Sequence, residues 1–375
     1  MKRVLFLTGT RADYSKIRPL ISSLKSSGQF EVCIFITGMH LLSQYGSTHL
    51  EIETSSEFDF KFINQAPVDA EYSKLAKTIQ GFGDYVREIQ PDLIVVHGDR
   101  IEAIAGALVA ASSNSLLAHI EGGEVSGTID DSYRHSISKL AQIHFVANQD
   151  AQRRLLQLGE LESSVHIIGS PELDLMHSAT LPAINDVRER YGIEFDTFSI
   201  VIFHPVATEW MDAKAQAEIL FTSLKSSGRN FVVIESNNDL GSDGIRDELR
   251  NLRDLRQFRV LPSMRYDFFL TLLQNCEFVI GNSSVGVREA PHYGIPAINL
   301  GSRQSGRTDS KMVYNAGFEV KEILNNMRLS IKQPKFKDEK FGDGRSAERF
   351  LSILSDKAFW ETSIQKKFIE RGWTR

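Results

Sequence analysis

The sequence predicts an α/β protein built from two doubly wound domains that face each other across a cleft. Three observations predict it. Short continuous apolar runs alternate with longer amphipathic runs, the pattern of parallel strands covered by helices on both faces. The alternation breaks at Ser178-Ala179-Thr180-Leu181-Pro182-Ala183 and then restarts. Clusters of glycine and charge directly follow several apolar runs, at the carboxyl ends of strands where open parallel sheets bind ligands. At 375 residues the chain is also long for a single core.

The first domain spans 1–178. Val4-Leu5-Phe6-Leu7 marks a strand at 4–8, and an amphipathic helix follows at 15–26. Val32-Cys33-Ile34-Phe35-Ile36 marks a strand at 31–37, and a further strand is expected at 58–63 before a helix at 72–89. Leu93-Ile94-Val95-Val96 gives a strand at 92–97, leading into a helix at 101–112. Strands at 115–120, 143–147 and 165–168 alternate with helices at 133–141 and 149–158. The second domain spans 183–355. Its strands are expected at 198–203, 231–235, 258–261, 277–280 and 297–300, with helices at 213–226, 243–256, 266–275 and 285–293. The charged loop Lys335-Phe336-Lys337-Asp338-Glu339-Lys340 precedes helices at 345–355 and 357–371.

Composition narrows the function classes. A hydrophobic content of 42% and a charged content of 24% are ordinary globular values. The net charge of -5 argues against a general nucleic-acid or membrane-surface binder. Cys33 and Cys276 both lie in apolar runs and read as reduced, buried residues, consistent with a reducing cytosol. The N-terminal apolar run is too short for a signal peptide, and no window approaches the roughly 18 apolar residues of a membrane span. A soluble, cytoplasmic protein is expected.

The densest chemistry lies in His119-Ile120-Glu121-Gly122-Gly123-Glu124-Val125-Ser126-Gly127-Thr128-Ile129-Asp130-Asp131-Ser132-Tyr133-Arg134-His135. Crowded carboxylates repel one another and raise one another's pKa. Gathered around flexible glycines just past a buried strand, they point to proton transfer. His97-Gly98-Asp99-Arg100 and Thr8-Gly9-Thr10-Arg11 stand at other strand ends, so their polar groups are expected on the same rim. Arg11 and Lys16 would add positive charge there. His97, His119 and His135 lack metal-ligand spacing such as HExxH, so no metal is expected, and His119 within an apolar run reads as a satisfied core histidine.

In the second domain, Phe278-Val279-Ile280-Gly281-Asn282-Ser283-Ser284-Val285-Gly286-Val287-Arg288-Glu289 reads as strand, tight turn and helix. Ser283 and Ser284 at a helix N-terminus either hold a phosphate or only cap the helix. Glu289, further along, would accept hydrogen bonds from ribose hydroxyls. Arg303, in the loop Gly301-Ser302-Arg303-Gln304-Ser305-Gly306-Arg307, would neutralise a diphosphate, and His204-Pro205 also follows a strand. There is neither a GxGxxG fingerprint nor a GxxxxGK[ST] motif, so nicotinamide and P-loop readings lose weight.

These motifs together resemble the hydrolysing UDP-N-acetylglucosamine 2-epimerases of the sialic-acid and legionaminic-acid type. The resemblance runs from residue 1 to about residue 310. It is carried by Thr8-Gly9-Thr10-Arg11-Ala12-Asp13-Tyr14-Ser15-Lys16, the 97–100 loop, the 119–134 segment, His204-Pro205, the 282–289 turn and the 301–307 loop. The 119–135 segment also resembles the epimerase half of the bifunctional animal enzyme. The resemblance implies a GT-B-like fold of two Rossmann-type domains with UDP in the cleft, and a C-terminal helix at 356–375 returning to the first domain. It implies conversion of UDP-N-acetylglucosamine and water to N-acetylmannosamine and UDP. It implies catalytic roles for Asp99, Glu121, Asp130 and Asp131, supported by Arg134, and a phosphate-side role for His204. UDP contacts are implied for Arg11, Ser15, Arg100, Asn237, Ser283, Ser284, Glu289 and Arg303, with Lys16 and Asn282 in the same substrate-binding set. No cofactor is implied, Mg²⁺ would be dispensable, and a homodimer or homotetramer is expected.

Non-hydrolysing relatives carry Arg-Pro-Glu in the first loop and Pro-Glu-Glu before the arginine. This chain has Arg11-Ala12-Asp13 and Ile129-Asp130-Asp131 instead, which favours release of the free sugar. Three alternatives stay open. One is the same chemistry on a UDP- or GDP-linked 2,4-diacetamido-2,4,6-trideoxy sugar. Another is a GT-B glycosyltransferase using a UDP-sugar, which would not need the clustered carboxylates. The third is a non-catalytic nucleotide-sugar sensor.

Overall fold

The computed structural model describes residues 1–43, 47–52, 59–66, 69–126, 128–177, 181–236, 241–367 and 369. The chain forms two compact units. One comprises Met1–Glu124, Asp130–His177 and Lys340–Arg375; the other comprises Val125–Ile129 and Ser178–Glu339.

The first unit runs β1 (Lys2–Thr8), α1 (Arg11–Ser27), β2 (Phe30–Ile36), β3 (Phe60–Lys61), α2 (Glu71–Ile89), β4 (Leu93–His97), α3 (Ile101–Ser112), β5 (Leu117–Ile120), α4 (Asp130–Leu140), β6 (Ile143–Val146), α5 (Gln149–Gln157), β7 (Val165–Ile167) and α6 (Glu172–Met176). Its seven strands are parallel, in the order β3-β2-β1-β4-β5-β6-β7. Side chains alternate across the pleat, so each strand feeds two cores. Val4, Phe6, Ile34 and Val95 pack with Ile17, Leu20 and Leu24 of α1 on one face. Leu5, Leu7, Phe35 and Val96 pack with α2, α3 and Ile137 of α4 on the other.

The second unit runs α7 (Ile184–Tyr191), β8 (Ser199–Ile202), α8 (Ala213–Ser226), β9 (Phe231–Ile234), α9 (Ser242–Arg250), β10 (Phe258–Leu261), α10 (Tyr266–Gln274), β11 (Val279–Gly281), α11 (Glu289–His292), β12 (Ala297–Leu300), β13 (Val313–Ala316) and α12 (Val320–Lys332). Its parallel sheet has the order β10-β9-β8-β11-β12-β13. Both sheets therefore reverse strand order beside their first strand, between β1 and β4 and between β8 and β11. Gly281 lets β11 close on β8: its φ is +137°, and a Cβ there would lie 2.0 Å from the Ile202 carbonyl oxygen.

The structure departs from the sequence expectations in several places. The helix expected at 133–141 starts earlier, at Asp130, and the one expected at 15–26 starts at Arg11. Thr10 and Asp13 form a capping box that accounts for the earlier start of α1. The helix expected at 285–293 is a 3₁₀ turn at Ser284–Gly286 and a separate one-turn α11. Pro291 lacks an amide hydrogen, and its ring opposes a helix continuing through residue 287. The short edge strand β13 and helix α12 had no counterpart in the sequence reading. The sequence placed the helix at 345–355 in the second domain; it is α13 (Ser346–Ser355), which belongs to the first unit. Its Phe350 is fully buried, 4.7 Å from Phe145 between ring centroids, and Asp174 accepts from the Ser346 and Ala347 amides to cap it. No helix fills 357–371 over its described residues. A 3₁₀ turn at Lys357–Glu361 is followed by irregular chain that docks on the first unit through polar contacts.

Candidate active site

In the first unit, the carboxyl ends of β1, β4 and β5 lie side by side at the reversal of strand order, where doubly wound sheets place ligands. Each end delivers a charged group. After β5 the backbone of Glu121 turns into the left-handed region, with φ +69°. This conformation is uncommon for a non-glycine residue and characteristic of functional turns.

Two electrostatic groups form there. In the first, Lys16 Nζ lies 3.1 Å from Glu121 Oε1 and 3.7 Å from Glu172 Oε1. His97, the last residue of β4, sits between two carboxylates: Nε2 is 3.6 Å from Glu121 Oε1 and Nδ1 is 3.6 Å from Asp13 Oδ1. Burial opposes protonation of His97, but Glu121 and Asp13 outweigh it and raise its pKa above the ordinary value. Asp13 also receives the Gly9 amide at 2.8 Å and the Thr8 hydroxyl at 2.9 Å. Burial nevertheless leaves its pKa raised, against the lowering effect of His97 and those hydrogen bonds.

The second group is centred on Arg134, which is 2% exposed. Its Nη2 donates to Asp99 Oδ2 and its Nη1 to Asp131 Oδ1, with a further bond of 3.4 Å to the Glu124 carbonyl. The crowding of carboxylates seen in the sequence is thus relieved by an internal guanidinium. Burial works against its charge, but Asp99, Glu124 and Asp131 together raise its pKa. Asp130 opens α4 immediately before Asp131.

His119 supports this arrangement from within the sheet. Nε2 lies 2.8 Å from the Gly98 carbonyl and Nδ1 lies 3.0 Å from Ser138 Oγ. Burial pushes its pKa down to about 3, so the ring is neutral. A carbonyl only accepts, so Nε2 carries the hydrogen and Nδ1 accepts from the Ser138 hydroxyl.

The other first-unit candidates are more dispersed. Arg11 and Ser15 lie in the first turns of α1, partly exposed. Arg100 precedes α3, with Nε 3.6 Å from Glu102 Oε2 and Nη2 3.7 Å from Met39 Sδ. Glu102 itself is 2% exposed and receives Gln65 Nε2 at 2.8 Å.

In the second unit, His204 follows β8 and Asn282 follows β11. The sequence assigned Asn282 to substrate binding; in the structure its side chain ties down the His204 loop. Asn282 Oδ1 accepts from the His204 amide at 2.8 Å, and Nδ2 donates to the His204 carbonyl at 2.8 Å. Each of its polar atoms keeps one further hydrogen-bonding position beyond the His204 loop. Its own carbonyl accepts from Arg303 Nη1 at 3.1 Å and Gln304 Nε2 at 2.9 Å, which joins the 301–307 loop to the same point. Ser283 and Ser284 were expected at the N-terminus of a long helix. Ser283 instead caps a three-residue 3₁₀ turn, accepting from the Val285 amide at 3.4 Å, so a long helix dipole is not available to them. Glu289 is buried and receives the Tyr266 hydroxyl at 3.3 Å. Asn237 lies outside the described residues.

The sequence alone assigns no site role to Asp13, His97, Glu102, Glu172 or Gln304. Asp13, His97 and Gln304 stand inside the 8–16, 97–100 and 301–307 segments, so their positions beside strand ends are the available signal. Glu172 carried no local signal. Among the described residues, no group of three or more His, Cys, Asp or Glu side chains is arranged to hold a metal ion.

Comparison with known proteins agrees with this architecture. The family model described as UDP-N-acetylglucosamine 2-epimerase matches residues 22–355. The chain is 43% identical to the UDP-N-acetylglucosamine 2-epimerase of Neisseria meningitidis serogroup B, over 99% of both chains. It is 32% identical to the UDP-N,N'-diacetylbacillosamine 2-epimerase (hydrolyzing) of Legionella pneumophila, covering 94% of this chain and 96% of that one. Among solved structures, a Neisseria meningitidis UDP-GlcNAc 2-epimerase bound to UDP-GlcNAc shares the fold with a TM-score of 0.80 at 20% identity, covering 94% of this chain and 99% of that one. A Methanocaldococcus jannaschii UDP-GlcNAc 2-epimerase in complex with UDP-GlcNAc and UDP does so with a TM-score of 0.78 at 19% identity, covering 95% and 99%. The two doubly wound units are those of a GT-B-like protein, and the chain belongs to the UDP-N-acetylglucosamine 2-epimerase family.

Proposed function

We propose that this protein is a hydrolysing 2-epimerase that converts UDP-N-acetylglucosamine and water to N-acetylmannosamine and UDP. The observation that carries the proposal is the pair of differently compensated acid groups in the first unit: Glu121 beside Lys16 and His97, and Asp99 and Asp131 on Arg134. Separate environments suit separate acid and base roles. The Legionella relative, described as hydrolyzing, supports the water-consuming form.

The C2 hydrogen of the sugar is a very weak acid until the C1–O bond to UDP stretches and leaves positive charge at C1. Arg303, Ser283, Ser284 and His204 are assigned to the departing diphosphate, and Glu289 to the ribose. Asp99 and Glu121 are assigned to C2, where one carboxylate takes the proton and 2-acetamidoglucal and UDP result. Asp130 or Asp131 then guides water to C1, and a proton returns to C2 on the opposite face. Arg11, Ser15, Lys16 and Arg100 supply further polar contacts to the substrate.

Proton NMR of UDP-N-acetylglucosamine with the protein in D₂O, without an acceptor, tests this. The expected product is free N-acetylmannosamine carrying deuterium at C2. UDP release without deuterium at C2 would overturn the mechanism, and unchanged substrate would favour a transferase or a sensor. Glu121→Gln is expected to slow exchange about a hundredfold or more. The same chemistry on a diacetamido-trideoxy sugar is a second reading, supported by the name of the Legionella relative. Parallel kinetics on both substrates decide between N-acetylmannosamine for sialic-type acids and the legionaminic route. We place the activity in the cytoplasm, in a homodimer or homotetramer.

A further inference from the structure

We propose that Lys366, in the irregular segment after the last 3₁₀ turn, is a positioning residue that holds the carboxylate-bearing helix α4 in register with the Asp99 loop. This rests on the reading that Asp99, Asp130 and Asp131 carry the chemistry.

The local need arises at the end of α4. The amide of Gln142 bonds to the Leu117 carbonyl, so the Ser138 carbonyl has no helical amide to accept from at that end. Lys366 Nζ supplies the hydrogen bond, at 2.8 Å to the Ser138 carbonyl and 2.6 Å to the Ala141 carbonyl. A cation at a helix C-terminus is also favoured by the dipole. The ammonium is balanced by Glu160, 1% exposed, whose Oε2 lies 2.5 Å away. Glu160 also holds Lys139 at 2.8 Å and His144 at 3.1 Å. Gln142 Nε2 adds a second tie, donating to the Ile364 carbonyl at 3.1 Å.

From this anchor a closed circuit reaches the chemistry. Ser138, whose carbonyl Lys366 grips, donates through its hydroxyl to His119. His119 donates to the Gly98 carbonyl. The next residue, Asp99, pairs with Arg134, one turn before Ser138 on the same helix. Lys366 therefore grips α4, the helix that bears both Asp131 and Arg134, at the end opposite the acids. A misplacement of about 1 Å at reacting groups costs up to about a hundredfold in rate.

Loss of Lys366 leaves Glu160 with Lys139 and His144, so the cluster keeps compensating charge. The test measures kcat and KM for deuterium incorporation at C2, and the unfolding midpoint, in Lys366→Met and Lys366→Arg. Lys366→Met is expected to lower kcat about tenfold or more with KM within about twofold, and Lys366→Arg to recover at least about half of the wild-type kcat. Ser138→Ala, which cuts the step to His119 while leaving the backbone carbonyl, is expected to lower kcat in the same selective way, and it keeps the proposal refutable if Lys366→Met does not fold, because an unchanged kcat there breaks the circuit. Unchanged kcat in a folded Lys366→Met or in Ser138→Ala, or an equal rise in KM, overturns the proposal. Wild-type protein that incorporates no deuterium at C2 overturns the proposed function instead, so the two failures are distinguishable.

Discussion

Replacing Arg134 by methionine tests the electrostatic logic of the first unit most directly. The guanidinium is 2% exposed and satisfies Asp99, Asp131 and the Glu124 carbonyl. Exposed ion pairs contribute about 0–1 kcal/mol, but removing one partner of a buried pair costs about 3–5 kcal/mol because the remaining charge is stranded. The Asp99 and Asp131 side chains are 24% and 23% exposed, so water relieves part of that cost. The lower end, about 3 kcal/mol, is therefore expected for Arg134→Met, or about 6–12 °C in the unfolding midpoint for a unit of this size. Adding Asp131→Asn removes one of the two stranded charges. The double variant is expected to be more stable than the two single effects predict, with a coupling of at least about 0.5 kcal/mol. Denaturant unfolding of the four proteins measures it. A drop below about 1 kcal/mol in Arg134→Met, with additive behaviour in the double variant, would refute the claim that a buried cation relieves the crowded acids.

Two further outcomes follow from the same structure. His119 is held neutral with its pKa lowered to about 3. A histidine whose folded pKa is depressed contributes stability that is fully present above its unfolded value, about 6.5, and is lost as the pH falls below it. From pH 6.5 to pH 5 this one group should remove about 2 kcal/mol, and His119→Gln should flatten that limb of a stability-against-pH curve by about one proton; an unchanged slope would show that His119 is not the titrating group. Gly281→Ala would drive a Cβ to within 2.0 Å of the Ile202 oxygen and hold alanine at a φ of +137°. It is expected to yield insoluble protein or to cost more than about 3 kcal/mol, which denaturant unfolding of any soluble fraction measures; a soluble variant of wild-type stability would contradict the close approach of β11 to β8.

Much of the architecture is legible in the sequence. Continuous apolar runs such as 4–7 and 93–96 admit little except buried parallel strands, because polar side chains on either face of such a strand would be stranded in the core. Helix boundaries were less legible where a local device overrode periodicity. The Thr10–Asp13 capping box extended α1, and Pro291 broke the expected helix at 285–293 into two short turns. The edge strand β13 is covered less than the strands inside the sheet: of its four residues only Ala316 is buried, so it lacks the continuous apolar run that marks them. The site was legible in its carboxylates, which stand in one dense segment, and in Arg134 beside them. Its compensating partners were less so: Lys16 and Glu121 are 105 positions apart in sequence, and Lys16 and Glu172 share no local pattern at all.

Alternation of apolar and amphipathic runs, together with polar clusters at strand ends, determined by itself that this is a double α/β protein with acids gathered at one sheet rim. It did so because backbone hydrogen bonding and side-chain burial impose periodicities that local sequence must obey. Only the tertiary structure decided which charge answers which, that Asn282 serves the His204 backbone, and that helix 346–355 packs on a face of the first sheet. Those outcomes depend on distances between residues far apart in the chain, set by packing and by the need to compensate every buried charge, and no local pattern encodes them.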